Sequence, residues 1–116
     1  MTGGSILCID KPQGFTSFDV VAKLRGMSGI RRVGHAGTLD PMATGVLPVF
    51  FGRATKACDI LPIQDKRYTA RFKLGLTTDT LDSTGSVTGT SDKRATAEEV
   101  RRAAASFVGE ILQVPP

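Results

Sequence analysis

Residues 34–45, GHAGTLDPMATG, read as a loop, and so constrain where the elements on either side begin and end. Glycine and proline punctuate them too often for a helix or a strand. Gly34, Gly37 and Gly45 allow backbone angles and close approaches that other residues resist. Pro41 holds its own φ and pushes Asp40 out of the helical region. The expected result is a stiff loop, shaped by Gly34, Gly37, Pro41 and Gly45, that turns the Asp40 carboxylate outward. His35 and Thr38 are its polar neighbours, placed to meet a phosphate or a base. A surface turn with a capping aspartate fits the same residues.

The flanking sequence reads as alternating strands and helices. Ser5 to Asp10 reads as a strand and Lys11 to Gly14 as a turn. A helix follows, with Thr16 as its cap and Asp19 at the third position. Phe18, Val21 and Leu24 share its apolar face, with Val20 beside them, and Gly26 and Gly29 end it. IRRV, residues 30–33, leads into the loop. VLPVFF, from Val46 to Phe51, reads as a buried strand closed by Gly52, and Arg53 to Leu61 as a short helix stopped by Pro62.

KRYTARFKL, residues 66–74, alternates most clearly. Tyr68, Ala70, Phe72 and Leu74 point one way; Arg67, Thr69, Arg71 and Lys73 point the other. GLTTDTLDSTG reads as a polar loop, Ser86 to Thr90 as a short strand, and Thr96 with Glu99 as a capping box. Val100, Ala103, Ala104 and Phe107 then form one helical stripe. Four strands and three helices predict an α+β fold with a mostly antiparallel or mixed sheet flanked by helices. No closing element for the sheet is evident, so the 116 residues read as the N-terminal piece of a longer chain.

Composition narrows the chemistry. No apolar run reaches the length of a membrane span, and charged residues interrupt the N-terminus before a signal core develops, which places the protein in the cytoplasm. Cys8 and Cys58 lie far apart and read as small core residues. With a single histidine and no cysteine pair, no metal ligand set emerges. The formal net charge is +4, yet Lys23, Arg25, Arg31, Arg32, Arg53 and Lys56 face only one anion, Asp40, between positions 23 and 56. A positive field around the loop is expected, suited to a polyanion. LDSTG faintly echoes an aspartic protease loop, but that chemistry needs two such loops. GHAGT compares with an HxGH nucleotidyltransferase loop, except that Thr38 replaces the second histidine.

GHAGTLDPMATGVLPV closely resembles the signature of the TruB family of tRNA pseudouridine synthases. LCIDKPQGFTSFDVV resembles that family's first motif, KRYTARFKLGLTTDTLDSTG its active-site tyrosine segment, and GEILQVPP the end of its first catalytic half. The likeness spans nearly the whole chain in family order. It implies a pseudouridine synthase-like fold, with residues 1–116 as the N-terminal portion of the catalytic domain. It implies conversion of a uridine in the T loop of tRNA, by convention position fifty-five, to pseudouridine without cofactor or metal. The family's nucleophilic aspartate falls on Asp40, attacking either the ribose C1′ or the base. Its active-site tyrosine falls on Tyr68, which stacks on the extracted base, and a histidine linked to the flipped-out RNA falls on His35. Lys11, Arg31, Arg32 and Arg53 become candidate phosphate contacts. The family's partner arginine and second half-sheet lie beyond this sequence, so weak RNA binding and little turnover are expected of these residues alone. A non-catalytic RNA-binding module is the rival reading.

Overall fold

The computed structural model describes residues 3–61 and 65–115. The chain divides into two units, Met1–Tyr68 and Thr69–Pro116. Among the described residues no helix is long and apolar enough to cross a membrane.

The first unit is an antiparallel sheet with a helix on one face. Strand β1, Gly4–Lys11, pairs along its whole length with β3, Gly45–Gly52, from Gly4 opposite Gly52 to Lys11 opposite Gly45. The short β2, Val33–His35, pairs with the other edge of β3, giving the order β1-β3-β2. Period-two alternation along β3 sends Leu47, Val49 and Phe51 to one face, where they meet Val33 of β2 and Val20 and Val21 of helix α1, Ser17–Ser28. Ile9, Phe15, Leu24, Ile30 and Leu39 pack around this core. Phe50, 1% exposed, points to the opposite face.

Helix α1 begins as its sequence dictates. The Thr16 hydroxyl accepts from the Asp19 amide at 3.0 Å, and the Asp19 carboxylate accepts from the Thr16 amide at 2.8 Å. These bonds hold the Asp19 carboxyl below its ordinary range. Gly29 ends the helix in a left-handed cap, while Gly26 lies within it. The buried face differs from the expected one. Phe18 is largely exposed beneath the Arg25 guanidinium, 5.9 Å from its ring, and Ser17 turns inward with Val20 and Val21. The segment after β3 is a 3-10 helix, Arg53–Ala57, shorter than the helix expected to Leu61. Cys8 is exposed on β1 and is not a core residue: among the described residues β1 has a neighbour on one edge only, and its Ile6, Leu7 and Cys8 are exposed.

The second unit contains a hairpin and a helix. β4, Leu76–Thr78, pairs antiparallel with β5, Val87–Thr90, with an irregularity at Thr77 and Thr78. β4 arises inside the stretch read as loop. Its turn is tied by the Asp82 carboxylate, which accepts from Thr80 Oγ1 at 2.7 Å and the Thr84 amide at 2.8 Å, and by Asp79, which accepts from the Ser86 amide at 2.9 Å. Helix α2, Ala97–Ala105, has the expected Thr96–Glu99 capping box, and none of its side chains is buried.

The strand expected over residues 66–74 is absent: residues 65–73 form no regular element. Alternation assigns side chains to faces, but a strand also needs a neighbour to pair its N–H and C=O groups. Among the described residues none pairs with this segment, and Phe72 and Leu74 are exposed.

Candidate active site

The loop from Ala36 to Thr44 joins β2 to β3, and its backbone is tied down from both sides of Asp40. The Ser17 hydroxyl accepts from the Leu39 amide at 3.0 Å and donates to the Leu39 carbonyl at 3.3 Å. On the other side, the Pro41 carbonyl accepts from the Gly14 amide at 2.8 Å and from Lys11 Nζ at 3.1 Å. The Asp40 carbonyl accepts from the Ala43 amide at 3.0 Å, and the Ala36 amide reaches the Pro48 carbonyl at 3.1 Å. Gly37 and Gly45 have φ of 66° and 143°, conformations that strain an L side chain, so the loop's departure from and return to the sheet need glycine there. Gly34 plays no such part: it is an ordinary member of β2, paired with Phe50.

The Asp40 side chain is exposed and makes no hydrogen bond or ion pair with any described residue. Its backbone is fixed and its carboxylate is free. Beside the loop lies a cavity of about 360 Å³, walled by Gly37, Leu39 and Thr44 of the loop, Val46 and Pro48 of β3, and Tyr68. Asp40 follows the lining residue Leu39 but does not itself line the cavity. Tyr68 is 48% exposed, so its ring is open to a stacking partner instead of being packed as strand core.

The cations are placed differently from the sequence expectation. Lys11 is fully buried, and its Nζ donates to the carbonyls of Pro12 at 2.9 Å, Phe15 at 2.5 Å and Pro41 at 3.1 Å. An ammonium has three donors, so Lys11 has none left for a phosphate and acts as an internal clamp on the loop. Arg31, Arg32 and Arg53 are exposed, but at the far end of the sheet. The Gly52 amide donates to the Arg32 carbonyl at 2.7 Å, beyond the last β2–β3 pair. Eight-residue β3 then separates these arginines from the Asp40 loop by roughly 20 Å at the ordinary rise per residue. The field expected to ring Asp40 is therefore divided. Its local part comes from Lys66, whose Nζ donates to the Thr38 carbonyl at 2.5 Å, and from Arg67 on the cavity wall, partly offset by Asp65 on the same wall. Strand alternation by itself turns Arg67 away from Tyr68, and nothing in the sequence around Lys66 shows that it reaches the Thr38 carbonyl.

His35 sits in β2 opposite Val49, half-buried, and desolvation lowers its pKa from the usual 6.5. The ring is thus neutral at neutral pH, with Nδ1 enclosed and unbonded among the described residues. The sequence also gave no sign of Ser17. Its contact lies 22 positions away, and nothing in the TS dipeptide separates a hydroxyl facing water from one facing a loop.

Comparison with known proteins matches residues 25–116 to the family model described as TruB family pseudouridylate synthase, N-terminal domain. The chain is 49% identical over 112 residues to tRNA pseudouridine synthase B of Chlamydia felis, covering 96% of this chain and 48% of that relative. It is 50% identical over 115 residues to tRNA pseudouridine synthase B of Streptomyces coelicolor, covering 98% of this chain and 38% of that relative. Among solved structures it is similar to a chain of an H/ACA ribonucleoprotein bound to a substrate RNA containing 2′-deoxyuridine. The TM-score there is 0.62 at 26% identity, over 96% of this chain and 30% of that one. The chain thus spans about half or less of the length of these relatives, while the match covers most of its own residues and both described units. It belongs to the TruB family of pseudouridylate synthases.

Proposed function

We propose that residues 1–116 are the N-terminal portion of the catalytic domain of a tRNA pseudouridine synthase acting on the uridine of the T loop, with Asp40 as nucleophile. One observation carries this reading: the peptide groups before and after Asp40 are held through the Leu39 carbonyl by Ser17 and through the Asp40 carbonyl by the Ala43 amide, while its carboxylate has no partner among the described residues. A carboxylate that only capped a turn would be bonded to a nearby backbone amide, as Asp82 and Asp19 are. A free, positioned carboxylate suits covalent catalysis, which divides one difficult step into two. The net reaction breaks the N1–C1′ bond, forms C5–C1′ and moves a proton from C5 to N1. It consumes no oxidant or reductant, so its balance calls for no redox cofactor.

Tyr68, at the cavity wall, supplies an aromatic surface for the everted base, an interaction worth roughly 1–3 kcal/mol. Thr38 and His35 flank the loop for contact with RNA. Arg31, Arg32 and Arg53 serve as a second phosphate contact, away from the reacting nucleotide. That remote group would serve binding without chemistry equally well, which is what favours the rival RNA-binding module. A family-length chain, completed with the second half of one of the relatives above, separates the two. Asp40→Asn is expected to abolish tritium release from [5-³H]uridine in a T-loop RNA while RNA affinity stays within about twofold, since a single carboxylate contributes no phosphate contact. Persistent release would remove Asp40 from the chemistry.

A further inference from the structure

We infer that Ser17, the first residue of α1, is a positioning residue for Asp40. The inference rests on the reading of Asp40 as nucleophile, and it adds the element that aims it. Ser17 is 2% exposed, and its hydroxyl holds both the amide and the carbonyl of Leu39, as acceptor at 3.0 Å and donor at 3.3 Å. The Leu39 carbonyl belongs to the peptide that enters Asp40, so the donated bond sets that peptide plane. The plane leaving Asp40 is set separately, by Pro41 and by the Ala43 amide on the Asp40 carbonyl. Ser17 therefore bears on one of the two backbone rotations at Asp40 that set where its Cβ projects. No other described group bonds to the Leu39 backbone.

Thr16 is the natural control. It caps the same helix through Asp19 and makes no bond to the loop. Thr16→Ala weakens α1 without releasing Leu39, whereas Ser17→Ala releases Leu39 and keeps the Thr16 cap. Misplacing a nucleophile by about 1 Å lowers rate by about a hundredfold, and the loss falls on turnover because Ser17 touches no substrate.

Two measurements test this. On the chain itself, ¹⁵N relaxation should give amide order parameters near 0.85 at Leu39 and Asp40, falling below about 0.6 in Ser17→Ala and unchanged in Thr16→Ala. In the family-length chain, Ser17→Ala should lower kcat at least tenfold with KM within about twofold, and Ser17→Thr, which keeps a hydroxyl, should recover most of it. If Ser17→Ala does not fold, Ser17→Cys, near in size and a weak hydrogen-bonding group, takes its place in both measurements. Unchanged order parameters, an equal fall in Thr16→Ala, or a loss confined to KM would overturn the inference. An active Asp40→Asn chain would instead overturn the function reading, and the order parameters would still report whether Ser17 fixes the loop.

Discussion

A buried ammonium is expensive to desolvate, and Lys11 is fully buried with no carboxylate bonded to it among the described residues. What makes it tolerable is three carbonyl oxygens, one for each proton. Those carbonyls come from Pro12 and Phe15 beside β1 and from Pro41 in the loop between β2 and β3, so one side chain ties two separate turns together. Lys11→Met keeps the length of the side chain and removes all three bonds. Bonds to charged groups contribute about 1.5–3 kcal/mol each, partly offset here by relief of the desolvation penalty, so a net loss of about 1–3 kcal/mol is expected. A urea denaturation midpoint measures it. The salt dependence of RNA binding in the family-length chain should stay unchanged in this variant, whereas a lysine on phosphate would lower the slope by about 1. The first motif's lysine was legible in the sequence as important. Its direction, inward, was not, because composition around a lysine does not say whether carbonyls or water meet it.

At the scale of elements, local signals and tertiary partners separate cleanly. The Thr16–Asp19 and Thr96–Glu99 caps were readable because each is closed within four residues. The strand Val46 to Phe51 was readable because it is a continuous apolar run bounded by glycines, although only Leu47, Val49, Phe50 and Phe51 of it are buried. The alternating segment 66–74 misled because it specifies a face and not a neighbour, and β4 went unseen because LTT is held by pairing with Val87–Thr90. Helix α2 sits between these cases: its cap is local, but none of its side chains is buried. Isolated helices of such length are marginal in water. Its amides should therefore exchange with little protection, while those of β3 exchange slowest, and Thr96→Ala should remove most of what protection α2 has, about 1 kcal/mol. Hydrogen exchange read residue by residue checks both, and protection in α2 matching that of β3 would contradict the expectation.

Across the molecule, charge is the property most changed by folding. The sequence gathers six cations around one aspartate between positions 23 and 56; the sheet then carries Arg31, Arg32 and Arg53 to the end of β3 remote from that aspartate. Arg31, Arg32 and Arg53 are exposed there, with no bonded carboxylate among the described residues. In a family-length chain, the double substitution Arg31→Ala and Arg53→Ala should lower the slope of log affinity against log salt by about 2 and leave turnover at saturating RNA unchanged. A fall in turnover would bring those arginines to the chemistry and contradict the separation along β3. The sequence by itself determined the family, the stiff loop, the capped helices and the buried central strand, since each is written in residues near one another in the chain. Which lysine turns inward, which serine grips the loop and which arginines stand far from the carboxylate were decided only by the antiparallel pairing and by the packing of α1 and its preceding turn against the loop. Pairing brings together residues distant in sequence and separates others that are close, and no local pattern encodes the register that does so.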